Sequence, residues 1–133
     1  MRVKHLNPAE LHSNPAFTQV VTVEGAARTI YVGGQNAVNA DGEIVGDDVA
    51  TQSTQALHNV EVALAAAGAT LADVVKWNTY VAAGHPLGEA FAASREAWWQ
   101  RPDPPAISVL VVAGLANPRF LVEIEAMAVV EVN

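Results

Sequence analysis

The chain has 133 residues, enough for one domain (residues 1–133) with its own core, and it carries a net charge of −7 and no cysteine. Disulfides, thiolate metal sites and a Cys nucleophile are thereby excluded, and an acidic chain with its Lys and Arg scattered is a poor match for a phosphate backbone, so nucleic acid is not an expected partner. Hydrophobic residues make up 51% and mean hydropathy is +0.21, which suggests apolar surface buried between copies, while no run approaches the ~18 residues of a membrane span and no secretion signal is recognisable, so a cytoplasmic protein is expected.

Residues 17–23, "FTQVVTV", then "EGAAR", then "TIYVGGQNAV" predict a β-hairpin, because β-rich runs flank a Gly-containing turn. Asp41-Gly42 marks the next turn. Residues 48–67 predict a helix, with Val49, Ala56, Leu57, Val60, Ala63, Leu64 and Ala67 on one stripe. Asp47 or Asp48 can cap its start and Gly68 its end. Residues 73–83 predict a strand, and residues 86–100 a second helix with Leu87, Ala90, Phe91, Ala97 and Trp98 as its stripe. Residues 106–115, "AISVLVVAGL", are a strand apolar at nearly every position.

The last strand, "VEIEAMAVV" (122–130), has two unlike faces, since alternate side chains point oppositely. Val122, Ile124, Ala126, Ala128 and Val130 form a uniformly apolar face. Leu121, Glu123, Glu125, Met127 and Val129 form the other. The order ββαβαββ predicts a two-layer α+β domain with both helices on one face of a sheet. The apolar face then meets the helices. The mixed face is too apolar for open water and too charged for a core, which places the two glutamates at a subunit interface or in a pocket on it.

These segments resemble the RidA (YjgF/YER057c/UK114) family. The resemblance is carried by "YVGGQ" (31–35), by residues 41–81, and by "ISVLVVAGLANPRFLVEIEAMAVV" (107–130), and it spans nearly the whole chain. It implies a chorismate-mutase-like domain assembled as a homotrimer, with a cleft between neighbouring subunits. It also implies hydrolysis of reactive 2-imino and 2-enamino acids without metal or cofactor, an arginine holding the substrate carboxylate and a glutamate the attacking water.

The family glutamate corresponds to Glu123, read either as a water-orienting carboxylate in the cleft or as a polar residue on a wet strand face. Glu125 reads as structural, paired with Arg119 or Arg28. The family arginine, which lies in "PARS", is replaced by Ile107 in "PPAISV". Isoleucine cannot bind a carboxylate, and losing a charge-assisted bond of roughly 1.5–3 kcal/mol weakens binding about tenfold to a hundredfold. Arg95, Arg101 and Arg119 lie several positions away. The other cleft positions drift the same way. Phe17 stands for a tyrosine, Gly33 for a serine, Ala92 for an asparagine and Val109 for a cysteine, while Gly34 is kept. The expected cleft retains Glu123 and its glycine strand but is more apolar. Gly33-Gly34 lacks the strand–loop–helix setting of a phosphate loop. His5, His12, His58 and His85 share no ligand spacing, so no metal is expected. The sequence supports two readings: an enzyme acting on a small imine or enamine, and a non-catalytic binding or interaction module on the same fold.

Overall fold

The computed structural model describes residues 1–98 and 101–133. Among the described residues six strands and two α-helices follow in the order β1 (Arg2–Leu6), β2 (Val20–Glu24), β3 (Ala27–Gln35), α1 (Val49–Ala66), β4 (Val74–Ala82), α2 (Leu87–Trp98), β5 (Ala106–Val112) and β6 (Val122–Glu131). The main sheet has the order β3-β6-β4-β5. Its β3–β6 and β4–β6 pairs are antiparallel, and β4–β5 is parallel, as a strand–helix–strand crossover through α2 requires. This is the expected α+β class, with two helices and one main sheet.

One pairing differs from the sequence reading. The chain does turn at Gly25, where φ is +93°, but β2 and β3 form no ladder with each other. β2 pairs antiparallel with β1, whose register runs from Arg2 opposite Glu24 to Leu6 opposite Val20, and β3 pairs with β6. β1 escaped notice because "RVKHL" carries only two apolar residues. Its strand state is imposed by the edge that β2 offers, not by its own pattern.

Local chemistry sets the ends of α1. Asp48 is the N-cap, and its carboxylate accepts the Thr51 N–H at 2.7 Å. That bond holds the Asp48 carboxyl below the usual carboxylate range. At the other end Gly68, at φ +75°, donates to the Ala65 carbonyl, and Ala69 donates to that of Leu64. This double closure needs a left-handed residue where Gly68 stands.

The core lies between the sheet and the helices. Ala56, Leu57, Val60 and Leu64 of α1 meet Val122, Ile124, Ala126 and Ala128 of β6, with Trp77 of β4 wholly buried between. Trp77 donates its indole N–H to Thr79 at 3.1 Å and meets Trp98 edge-on at 4.4 Å. The α2 stripe is Ala90, Ala93, Ala97 and Trp98. Leu87 is exposed and Phe91 only half-buried, because small residues let α2 lie close to its neighbours. Trp99 and Gln100, the end of the expected second helix, fall outside the described residues. Leu121 also departs from its expected face: it precedes β6 and is buried with Val49, Val81 and Ala90. Gln52, buried in α1, fixes it there by accepting the Leu121 N–H at 2.9 Å.

Candidate functional site

Residues paired in register across a sheet share a face. β4 puts Lys76, Asn78 and Tyr80 on the face away from the helices, and Trp77, Thr79 and Val81 on the helix side. Tyr80 is opposite Glu123 and Asn78 opposite Glu125 on β6, so both glutamates lie on the open face.

Glu123 owes its place to a bulge in β3. Val32 pairs with Ala126 and Gln35 with Ile124, so Gly33 and Gly34 together oppose the single residue Glu125. The extra residue brings the β3 backbone against the Glu123 side chain. A Cβ on Gly34 would stand 2.6 Å from the Glu123 carboxyl carbon and 2.7 Å from Oε2, whereas one on Gly33 would meet nothing within 4 Å. Gly34 is therefore glycine because a carboxylate occupies the space its side chain would fill. The Gly-Gly pair acts as a bulge that seats Glu123, not as an anion nest.

Glu125 is held differently. Asn78 donates to its Oε1 at 3.0 Å and the Tyr80 hydroxyl donates to the same oxygen. These two bonds, Asn78 first, with the nearby Lys76 ammonium, hold the Glu125 carboxyl below its ordinary range. The same bond raises Tyr80. Burial lowers Lys76, against the opposing pull of Glu125, and Lys76 donates to Ser108 at 2.9 Å. The expected partners Arg28 and Arg119 are thus replaced by Asn78, Tyr80 and Lys76, which lie beside Glu125 in the sheet. Their signal is present in "KWNTY": Lys76, Asn78 and Tyr80 fall at every second position, on one face of the strand. A cavity of about 300 Å³ opens over this group, bounded by Tyr31, Gly33, Lys76, Asn78, Glu125 and Met127. A second, of about 580 Å³, lies between this face and β2 and is bounded by Val21, Val23, Met127 and Val129.

Within one chain the remaining candidates lie elsewhere. Ile107 pairs with Trp77 and Val109 with Thr79, so both are on the helix side of the sheet, and Ile107 packs against the core. Phe17 is beside them through its neighbour: Thr18 donates to the Pro105 carbonyl at 3.0 Å and to that of Pro104. Ala92 is half-buried on α2. Pro15 and Ala16, adjoining Phe17, share a cavity with Phe91 and Ser94, which flank Ala92. The candidates therefore form two groups. Glu123, Gly33 and Gly34 are on the open face. Ile107 and Val109 are on the helix face of β5, with Phe17 beside its start and Ala92 on the covering helix. The sequence reading put all of them around one cleft, and a single chain does not bring them together, because Ile107 and Glu123 point to opposite sides of one sheet. Among the described residues no three His, Asp or Glu side chains are grouped to hold a metal ion, and no helix is long and apolar enough to cross a membrane.

A family model described as Endoribonuclease L-PSP matches residues 8–130. No curated protein matches the chain. Among solved structures, YyfB of Yersinia pestis, a Rid-family protein described as of unknown function, is 38% identical, with a TM-score of 0.83 over 96% of this chain and 98% of its own. A YjgF/YER057c/UK114 member from Mycobacterium tuberculosis is 32% identical, with a TM-score of 0.66 over 97% of this chain and all (100%) of its own. A protein of Thermotoga maritima described as a putative endoribonuclease is 28% identical, with a TM-score of 0.70 over 86% of this chain and 87% of its own.

Proposed function

The chain belongs to the L-PSP family of Rid and YjgF/YER057c/UK114 proteins, and from that premise we propose that it hydrolyses or tautomerises a small reactive imine or enamine other than the usual 2-imino acids. The observation that carries this reading is the Glu123 carboxylate seated over the bulged Gly34 on the open face. A carboxylate on an open sheet face can orient water or move a proton at an imine carbon. On this reading Glu123 accepts a proton from water as the oxygen attacks that carbon. That proton passes to the nitrogen, giving a carbinolamine, and the hydroxyl proton follows it as the C–N bond breaks, the carbonyl forms and the amine leaves.

The division of the candidates between two faces supports a cleft completed by a second copy. One copy gives Glu123 with Gly33 and Gly34, and its neighbour gives Phe17, Ala92, Ile107 and Val109. The reading includes a homotrimer. It is supported by the apolar residues the isolated chain leaves open on and beside this sheet, with Tyr31 75%, Val111 59% and Leu110 43% exposed. Ile107 sets the substrate class: where relatives place a cation, this wall offers a branched alkyl group packed on the core. RNA cleavage, the activity named for some relatives, is disfavoured by the net charge of −7.

The first test is keto-acid release from freshly generated 2-iminopropanoate by the wild type and by Ile107→Arg. An inert wild type with an active Arg variant supports an intact cleft whose substrate lacks that carboxylate. A fast wild type rejects the assigned substrate class. Glu123→Gln should abolish the gained turnover, and full activity in the double variant removes Glu123 from the mechanism.

The second reading, a binding module without chemistry, is favoured by the same Ile107. A thermal-shift screen over small carbonyl compounds and amines separates it, since a pure binder gains stability and consumes nothing.

A further inference from the structure

The cavity between α2 and the N-terminal segment has a composition unlike either cavity on the open face. It measures about 420 Å³, the size of small-molecule sites in general. Phe91 and Trp98 form its α2 wall, and Pro15 and Ala16 face them from the segment before Phe17. Trp98 is only 7% exposed and is backed by Trp77, so this wall is fixed. Arg95 and Arg101 complete the lining with Ser94, and among the described residues no Asp or Glu borders the cavity. One Arg95 nitrogen donates to the Gly88 carbonyl at 3.4 Å, and among the described residues neither arginine forms an ion pair. Both guanidiniums keep donors free.

Two unpaired guanidiniums at the edge of an aromatic pocket are a recognisable combination. The planar forks match a carboxylate in bidentate geometry. The half-buried ring of Phe91 offers a face to an apolar body, with the small exposed part of Trp98 as the floor, and a guanidinium can itself lie over an aromatic ring. On a chain with a net charge of −7, a multiply charged anion meets more repulsion than a single charge does. We propose that this pocket binds a monoanionic carboxylate carrying an aromatic or branched apolar body, with Arg95 and Arg101 on the carboxylate and Phe91, Trp98 and Pro15 around the body. Within one chain the site is on the helix side of the sheet, away from Glu123, and it does not rest on the imine chemistry proposed above.

The test is isothermal titration of the full-length protein with 3-phenylpropanoate and its neutral counterpart 3-phenylpropanamide. The carboxylate should bind at least tenfold more tightly than the amide, and the difference should shrink as salt rises. Arg95→Ala and Arg101→Ala should each weaken the carboxylate severalfold and leave the amide unchanged. Phe91→Ala should weaken both. Arg119→Ala, which removes an arginine outside the pocket, should change neither. Equal affinity for the two probes, no binding of the carboxylate at millimolar concentration, or wild-type affinity in the Arg95→Ala, Arg101→Ala double variant overturns the proposal. Keto-acid release is measured separately, so failure here leaves the Glu123 reading standing, and failure there leaves this pocket standing.

Discussion

On the helix side of the main sheet, Trp77, Val122, Ile124 and Ala128 are shut beneath α1 and α2, and the polar pair there, Trp77 with Thr79, satisfies itself. On the other side Glu123, Glu125, Asn78, Tyr80 and Lys76 stand among Tyr31, Leu110 and Met127, and much of this surface is open. The same strands supply both faces, so β propensity does not explain the contrast. The helix side is a finished core in which volume is the governing quantity. The open side is a polar network inside an apolar frame, in which position and charge govern. The part of the helix side between α1 and β6 needs nothing further, whereas its β5 edge leaves Val111 59% exposed. The open side is arranged for something that one chain does not supply.

The largest effect should come from the finished face. Trp77→Ala removes a wholly buried side chain, its edge-on contact with Trp98 and its bond to Thr79. It should cost about 3–5 kcal/mol in denaturant unfolding. A loss under 1 kcal/mol would mean that the core is far looser than this packing implies.

Next in size is assembly. Leu110→Glu places a charge on the open face of the edge strand β5, at a residue 43% exposed in the single chain. Light scattering should give a trimer for the wild type and a smaller species for the variant, with circular dichroism unchanged. A trimer that tolerates this glutamate would remove the open face as its interface.

The glycine pair sharpens the comparison within one bulge. Gly34→Ala drives a methyl group into the Glu123 carboxylate, while Gly33→Ala meets open space. The first should cost about 1–3 kcal/mol, or else displace Glu123 and lower turnover as Glu123→Gln does. The second should stay within about 0.5 kcal/mol. Equal effects on melting and turnover would contradict the seat assigned to Glu123.

The smallest effect concerns pH. Glu125 is held below its ordinary range by Asn78 and Tyr80, so its contribution to stability is present above that range and is lost as pH falls through its folded value. Tyr80 is raised by the same bond. Its contribution is complete below the ordinary phenol range and is lost as pH rises through the folded value. Tyr80→Phe should move the Glu125 titration, followed by carboxyl carbon NMR, toward the ordinary range and remove the alkaline loss. An unmoved Glu125 would leave Asn78 as its sole effective donor.

Much of the fold was legible because it is written in short periods. The 3.6-residue stripe of α1, its Asp48 and Gly68 ends, and the two-residue alternation of β6 are local facts, set by backbone geometry within a few residues. The polar alternation of Lys76, Asn78 and Tyr80 is equally local. What the sequence by itself determined was therefore every main element except β1, the apolar faces of α1 and β6, and the oddity of Glu123. Pairing was decided by the tertiary structure alone. β2 chose β1 over β3, because a ladder depends on which edges meet and not on either strand's own pattern. The register of β3 on β6 made Gly33-Gly34 a bulge and set Glu123 over Gly34. The register of β5 on β4 turned Ile107 toward the core and away from Glu123. The packing of α2 against the N-terminal segment put Arg95 and Arg101 around one pocket. Each of these joins residues far apart in the chain, and a one-residue shift of register would reverse the face, which no local period records.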